Sequence, residues 1–384
     1  MTLVEADETL LGDPARLGAG DPGDMLRAVA SSAAQVREAA ALAREAGIDS
    51  LGAAGPPRAI VVLGMGGSGI SGDVLAALTG AESTVPVIVL KTYGLPRWVG
   101  AVDLVIAVSC SGSTEETLSG LEEAVRRGCA IVAVAAESSP VAELCLQGRG
   151  MLLPVRATGR LPRAMLWGLS VPLAMVARSL GLIELPDEEV EATAVRLERV
   201  STACNPGKDV FVNPGKSLAL ALAPVLPMAW GCSPVAGVAA LRLQSQWAEN
   251  AKMPAIAGVL PEANHNQVVT FDGPAGALAS AGGADIFSDP GLDGPSALRE
   301  WLVLMRDDVD EHPQVTRRAE VSKEIAEARG VRVTELAAEG TTRLERLASL
   351  VGVIDYASVY LGLGLGIDPT PIDAIQDLKA RIAR

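Results

Sequence analysis

Arg58-Ala59-Ile60-Val61-Val62-Leu63-Gly64-Met65-Gly66-Gly67-Ser68-Gly69 decides the fold. An unbroken aliphatic run that does not alternate with polar residues marks a strand buried on both faces, as in a parallel sheet covered by helices. The run ends in a glycine-rich turn and a helix follows it. Val85 to Leu90, Asp103 to Val108, Ala130 to Val134 and Met151 to Val155 have the same strand character. Helical stretches lie between them, notably Thr114 to Arg127, where Leu118, Leu121 and Val125 recur at helical spacing. This alternation predicts an α/β fold with a doubly wound parallel sheet, and it places ligands at the carboxyl ends of the strands.

The second half repeats the grammar without a convincing sequence repeat. Strands are predicted near Val225 to Ala229, Trp301 to Met305 and Val331 to Leu336. Helices are predicted at Val235 to Ala251, at Gln314 to Arg329, and from Thr342 onward. Asp368-Pro369-Thr370-Pro371 opens a last helix carrying Lys379, with Pro371 suited to its first turn. The expected organisation is a helical segment over 1–50, a first α/β domain over 51–185, a linker over 186–207 and a second α/β domain over 208–384. The charged stretch Glu184 to Arg199 in the linker region predicts an exposed helix joining the halves.

Composition fits this plan. The 384 residues exceed the roughly 100–200 typical of one domain, so two cores are expected. Hydrophobic residues make up 49% but aromatics only 3%, so those cores are built from Ala, Val, Leu and Ile. A net charge of −14 disfavours nucleic acid and anionic membranes as partners. It leaves room for a small anionic ligand in a locally positive pocket. Five scattered cysteines without a CxxC pair indicate neither a disulfide framework nor a thiolate metal site. The acidic start, Met1 to Glu8, does not read as a signal peptide, and the expected compartment is the cytoplasm. Ser217 to Leu241 carries no charge, but Pro224, Pro227 and Pro234 divide it into helix, strand and helix rather than a membrane span.

Two loops carry the functional signal. Gly64, Gly66 and Gly69 match a dinucleotide-binding GxGxxG, yet the next strand ends in Lys91 where an acidic residue should meet the ribose. Ser109-Cys110-Ser111-Gly112-Ser113-Thr114 follows another strand and opens a helix. Ser113 with Glu116 fits a capping box, which needs one hydroxyl, whereas this stretch supplies four. Hydroxyls converging with free amides at a helix N-terminus make a phosphate cradle. Ser68 offers another hydroxyl from the first loop, so a phosphorylated ligand lying between the loops is the expectation.

Further along stand Leu161-Pro162-Arg163-Ala164, Ala248-Glu249-Asn250-Ala251-Lys252, Asn264-His265-Asn266 and the helix bearing Lys379. In this order, from about Asp21 to the C-terminus, the set resembles the bifunctional phosphoglucose/phosphomannose isomerases of the sugar isomerase (SIS) domain superfamily. The resemblance implies two SIS-type domains and a homodimer with active sites at the subunit interface. It also implies a phosphorylated hexose substrate, no cofactor, no metal, and a place in glycolytic and gluconeogenic carbohydrate metabolism. The phosphate-binding hydroxyls fall on Ser68, Ser109, Ser111 and Thr114; Gly66 and Gly67 are further candidate substrate contacts, as is Thr370, at the entry to the last helix, for a hydroxyl near C2. The family's arginine falls on Arg163, its catalytic glutamate on Glu249, its histidine on His265 and its lysine on Lys379. The histidine is implied to come from the neighbouring subunit.

Taken singly these residues are ordinary. A glutamate closing an amphipathic helix is usually a solvated charge, a histidine between asparagines a loop or cap residue, and a lysine on a terminal helix a surface charge. His312, followed by Pro313, reads as a helix-entry residue. The sequence departs from the family pattern at Cys110 (usually tyrosine), Ser113 (usually asparagine) and Gln267 (commonly glutamate). The last bears on how His265 is oriented. The rival expectation is a regulator that binds sugar phosphates on the same fold without turning them over.

Overall fold

The computed structural model describes residues 5–157, 159–277 and 298–382. The chain divides into two compact units. One comprises Ala30–Glu198 with Gly340–Ala348, and the other Met1–Val29, Arg199–Glu339 and Ser349–Arg384.

The first unit holds β1 (Ile60–Leu63), β2 (Val87–Leu90), β3 (Leu104–Ser109), β4 (Ala130–Ala135) and β5 (Met151–Pro154). They form one parallel sheet in the order β2-β1-β3-β4-β5. Strand pleating sends alternate residues to opposite faces. Val61, Leu63, Val105, Ala107, Ile131 and Ala133 meet Leu121 and Ala124 of the helix Glu115–Arg126, and Val141 and Cys145 of the helix Pro140–Gln147. On the opposite face the helix Gly66–Thr79 lies so close that a Cβ on Gly72 would sit 3.0 Å from Val62 and 2.9 Å from Val89. That helix packs on Leu166–Ser179, which is buried along almost its whole length and in turn packs on Ser32–Glu45. The doubly wound plan is therefore complete in this unit.

The second unit holds β6 (Val225–Gly231), β7 (Ile256–Val259), β8 (Arg299–Arg306) and β9 (Arg332–Ala337). Its sheet is also parallel, in the order β7-β6-β8-β9, the same winding with one strand fewer among the described residues. Trp230 stacks on Phe271 at 5.5 Å within a core that includes Met228, Leu302, Leu304 and Ala319 of the helix Pro313–Ala328. The uncharged stretch from Ser217 is helix, strand and helix, as its prolines imply. Arg343–Gly364 is the one helix among the described residues long and apolar enough to cross a membrane, and 94% of its apolar window is buried inside the protein.

One strand was not expected, and two local expectations are revised. β7 escapes the pattern because four residues interrupted by Gly258 give too short a run to register. The charged helix, Asp187–Ala203, is not simply exposed: Val190, Thr193, Ala194 and Leu197 are buried along one face. The last helix begins at Asp373, leaving Pro371 ahead of it rather than in its first turn.

At the amino ends of β1 and β3, Arg58 grips Asp103 with two bonds of 2.9 and 2.6 Å, and the Gly100 amide adds a third at 2.8 Å. The guanidinium holds the buried Asp103 carboxyl below the ordinary carboxylate range. A carboxyl that titrates lower folded than unfolded stabilises fully above its unfolded value, about 4, and loses that contribution as pH falls through its folded value. Urea midpoints should therefore fall between about pH 6 and about pH 3, with Asp103→Asn showing a shallower fall. An identical pH profile for the two proteins would refute this role for Asp103.

Candidate functional site

In the first sheet the strand order reverses between β1 and β3, and ligands of such sheets bind outside the carboxyl ends of the strands at that switch point. The loops leaving these two strands are the glycine turn and the Ser109–Thr114 loop. They touch: the Cys110 amide donates to Ser68 Oγ at 3.3 Å. Ser109 Oγ lies 2.9 Å from Thr114 Oγ1 and 3.5 Å from Ser111 Oγ. Ser68 and Ser109 are buried, Thr114 is half-buried and Ser111 is exposed, so the hydroxyls run from the sheet end toward solvent.

The helix starts here are left without side-chain caps. Gly66–Thr79 begins after Met65, which offers no oxygen, and Glu115–Arg126 begins after Thr114, whose hydroxyl makes no cap bond. The capping box expected of Ser113 and Glu116 does not form, because the helix starts one residue later. Ser113 instead donates to Ser111 Oγ at 3.4 Å. Elsewhere Ser139, Asn213 and Ser233 cap their helices through their side chains. Two N-termini without caps, flanked by hydroxyls, supply the partial positive charge and donors that an anion needs.

The turn Pro162–Ala164 lies against the start of the helix Gly66–Thr79, and the Arg163 that it carries is only 2% exposed. Gly67 is what lets that turn approach: a Cβ there would lie 3.1 Å from the Pro162 carbonyl oxygen. Gln35 holds the turn from the other side, donating to the Ala164 carbonyl at 2.8 Å and accepting from the Gly168 amide at 3.3 Å. Nothing in the sequence marks Gln35 for this task, since its partners are more than a hundred residues away. Cys110 fills a buried position behind the loop, where burial pushes its thiol up to about 11 and keeps it protonated at neutral pH. Lys91 is tied to Asp73 at 2.6 Å, which gives the lysine at the end of β2 a partner within the fold.

The second unit is built differently at its own switch point, between β6 and β8. Ser233 caps the helix Pro234–Ala251, accepting from the Ala236 amide at 3.1 Å, and its hydroxyl donates to the buried Asp307 carboxylate at 2.8 Å. The chain thus supplies its own cap and its own anion there.

What this unit offers instead is at the other end of the same helix. Arg242 and Asp355 form a buried bidentate pair at 2.8 and 3.0 Å, Gln246 adds a bond to Asp355 at 3.1 Å, and Asn250 donates to Ser358 at 2.9 Å. Removing one partner of such a pair costs about 3–5 kcal/mol, so this face fixes the helix firmly. Glu249, half-buried, projects from the last turn into a cleft of about 320 Å³ that it shares with Lys252 and Pro371 to Ile375. Thr370 immediately precedes that cleft wall. His265 is exposed at the end of the turn Glu262–His265, and Lys379 is exposed on Asp373–Ile382; neither lines the Glu249 cleft. Gln267 does not orient His265: it accepts from the Trp230 indole at 2.6 Å and donates to the Ala257 carbonyl at 3.1 Å.

Residues 56–149 match the SIS domain model, and residues 211–382 match the model of the bacterial phospho-glucose isomerase C-terminal SIS domain. A bifunctional phosphoglucose/phosphomannose isomerase of Caldicellulosiruptor bescii is 33% identical over 324 residues, covering 84% of this chain and 89% of that protein. Its counterpart in Aquifex aeolicus is 29% identical, over 86% of this chain and 92% of the relative. Among solved structures, a hypothetical protein of Thermus thermophilus superposes with a TM-score of 0.66 at 16% identity, over 97% of this chain and 94% of the other. A glucose-6-phosphate isomerase of Chlamydia trachomatis gives 0.62 at 14% identity, over 90% and 73%. At these identities the structures share the fold.

Gly112 tests the cradle. Its φ of 67° suits glycine, and a Cβ would lie 2.2 Å from Ser139. Gly112→Ala should cost about 1–3 kcal/mol and abolish any rise in melting temperature produced by added phosphate. An unchanged melting temperature with an intact phosphate response would sink the assignment.

Proposed function

Because the chain belongs to the bifunctional phosphoglucose/phosphomannose isomerase family, we propose that it interconverts fructose 6-phosphate with glucose 6-phosphate, mannose 6-phosphate or both. The observation that carries this most is the grouping of Ser68, Ser109, Ser111 and Thr114 beside two helix starts without side-chain caps. A dianionic phosphate matches that arrangement in charge and in donors.

Aldose–ketose isomerisation opens the sugar ring, then moves one proton between C1 and C2 through a cis-enediol. In our proposal Glu249 removes the proton from one carbon and returns it to the other, so no net proton is gained or lost. His265 or Lys379 carries the proton between the ring oxygen and the hydroxyl during ring opening. Arg163 stabilises the negative charge that develops on the enediol oxygens. Thr370, ahead of the cleft that Glu249 lines, is the candidate for the C2 hydroxyl and so for the choice of epimer. The steps need no metal and no cofactor. We further propose a homodimer in which His265 serves the neighbouring subunit, consistent with its exposed position away from the Glu249 cleft.

The activity is checked by supplying fructose 6-phosphate with a chelator present and following both aldose products. Glu249→Gln should lower kcat by about 100-fold or more with KM little changed, as expected for loss of a general base. Binding without conversion by the wild type would favour a sugar-phosphate-sensing regulator. Mixing Glu249→Gln with His265→Asn should restore part of the activity if sites are shared between subunits. No restoration in a confirmed mixed dimer would argue against sharing.

A further inference from the structure

The lysine of Ala248-Glu249-Asn250-Ala251-Lys252 has no role in the steps above, yet its backbone is held in a conformation that disfavours lysine. Lys252 caps the helix Pro234–Ala251 with φ 57° and ψ 27°, the left-handed region where glycine or asparagine is at ease. Its backbone amide does the work of a cap by donating to the Trp247 carbonyl. Glycine would do that as well and without the strain, so the cap alone does not explain a lysine here.

The side chain does. Lys252 Nζ donates to the Glu249 carbonyl at 2.5 Å and reaches the Pro369 carbonyl at 3.4 Å. The Glu249 carbonyl is one of those that a helix leaves without an intrahelical partner at its C-terminus. Pro369 lies in the segment that leads through Thr370 into the helix bearing Lys379. One ammonium therefore bridges the turn that presents Glu249 and the chain just ahead of Pro371, where the other wall of the same cleft begins. A cation near a helix C-terminus is also favourably placed against the helix dipole.

We propose that Lys252 is a positioning residue for Glu249: its ammonium fixes the last helical turn against the Asp368–Pro371 segment, so that the carboxylate is held in register with the groups that segment carries. The proposal rests on Glu249 being the base of the isomerase reaction. Lys252 itself moves no proton.

The test compares Lys252→Met, Lys252→Gly and Lys252→Arg with the wild type. Methionine keeps the aliphatic stem and the backbone strain but loses the ammonium, and glycine loses both the ammonium and the strain. Lys252→Met should lower kcat with fructose 6-phosphate by about 10- to 100-fold, the scale of a misplacement near 1 Å, with KM within about threefold. Lys252→Gly should be as slow, although its melting temperature is equal to or above that of the wild type. Lys252→Arg should recover part of the rate. Amide hydrogen exchange at Thr370 and Ile372 should accelerate in the methionine and glycine variants. A wild-type rate in Lys252→Met, or full activity in Lys252→Gly, overturns the proposal. Should the wild type prove inactive, the isomerase assignment fails, and unchanged exchange at Thr370 and Ile372 would then overturn the bridge independently.

Discussion

The reversal of strand order between β1 and β3 is the constraint on which the candidate site depends. Parallel strands are joined by right-handed crossovers, so connections running in opposite directions from a central strand place their helices on opposite faces. The two loops at the point of reversal are left side by side with no helix packed over them. Here that position is filled by Gly64–Gly69 and Ser109–Thr114, and the 3.3 Å bond from the Cys110 amide to Ser68 Oγ closes the pair into one cradle. Glycines do the steric work: Gly112 accepts a left-handed backbone, and Gly67 admits the turn that carries Arg163.

The same winding in the second unit shows that topology offers a site without compelling one. Ser233 spends its hydroxyl on the Ala236 amide and on Asp307, so the helix start there has a cap and a carboxylate of its own. Met65 and Thr114 provide neither service in the first unit. The difference is a matter of a few side chains on a common backbone plan.

The role proposed for Glu249 depends on holding a helix end still. Arg242, Gln246 and Asn250 lie on one buried face of Pro234–Ala251, and Asp355 and Ser358 answer them. Buried polar pairs of this kind add little net stability over apolar packing, but a half-broken pair is costly, so they set rotation and register strictly. Glu249 emerges next to Asn250 at the end of this ladder, and Lys252 closes the turn beyond it. Strain in a left-handed lysine is tolerable where so much of the preceding helix is already fixed.

The sequence by itself determined the strand–helix alternation, the parallel sheets and both candidate loops, because aliphatic runs and glycine turns are local signals. It also carried the family resemblance, through Glu249-Asn250-Ala251-Lys252 and Asn264-His265-Asn266. Only the tertiary structure decided what depends on partners far along the chain. Gln35 meets Ala164 across more than a hundred residues, and Gln267 is turned onto Trp230 rather than left beside His265. Ser113, which fits a capping box by spacing, loses that role because the helix begins at Glu115, where Thr114 turns its hydroxyl to Ser109. β7 went unseen for a related reason: four residues hold too little pattern to read, and it is pairing with β6 that makes them a strand. Spacing along a chain records which groups are available, and packing settles which partner each one takes.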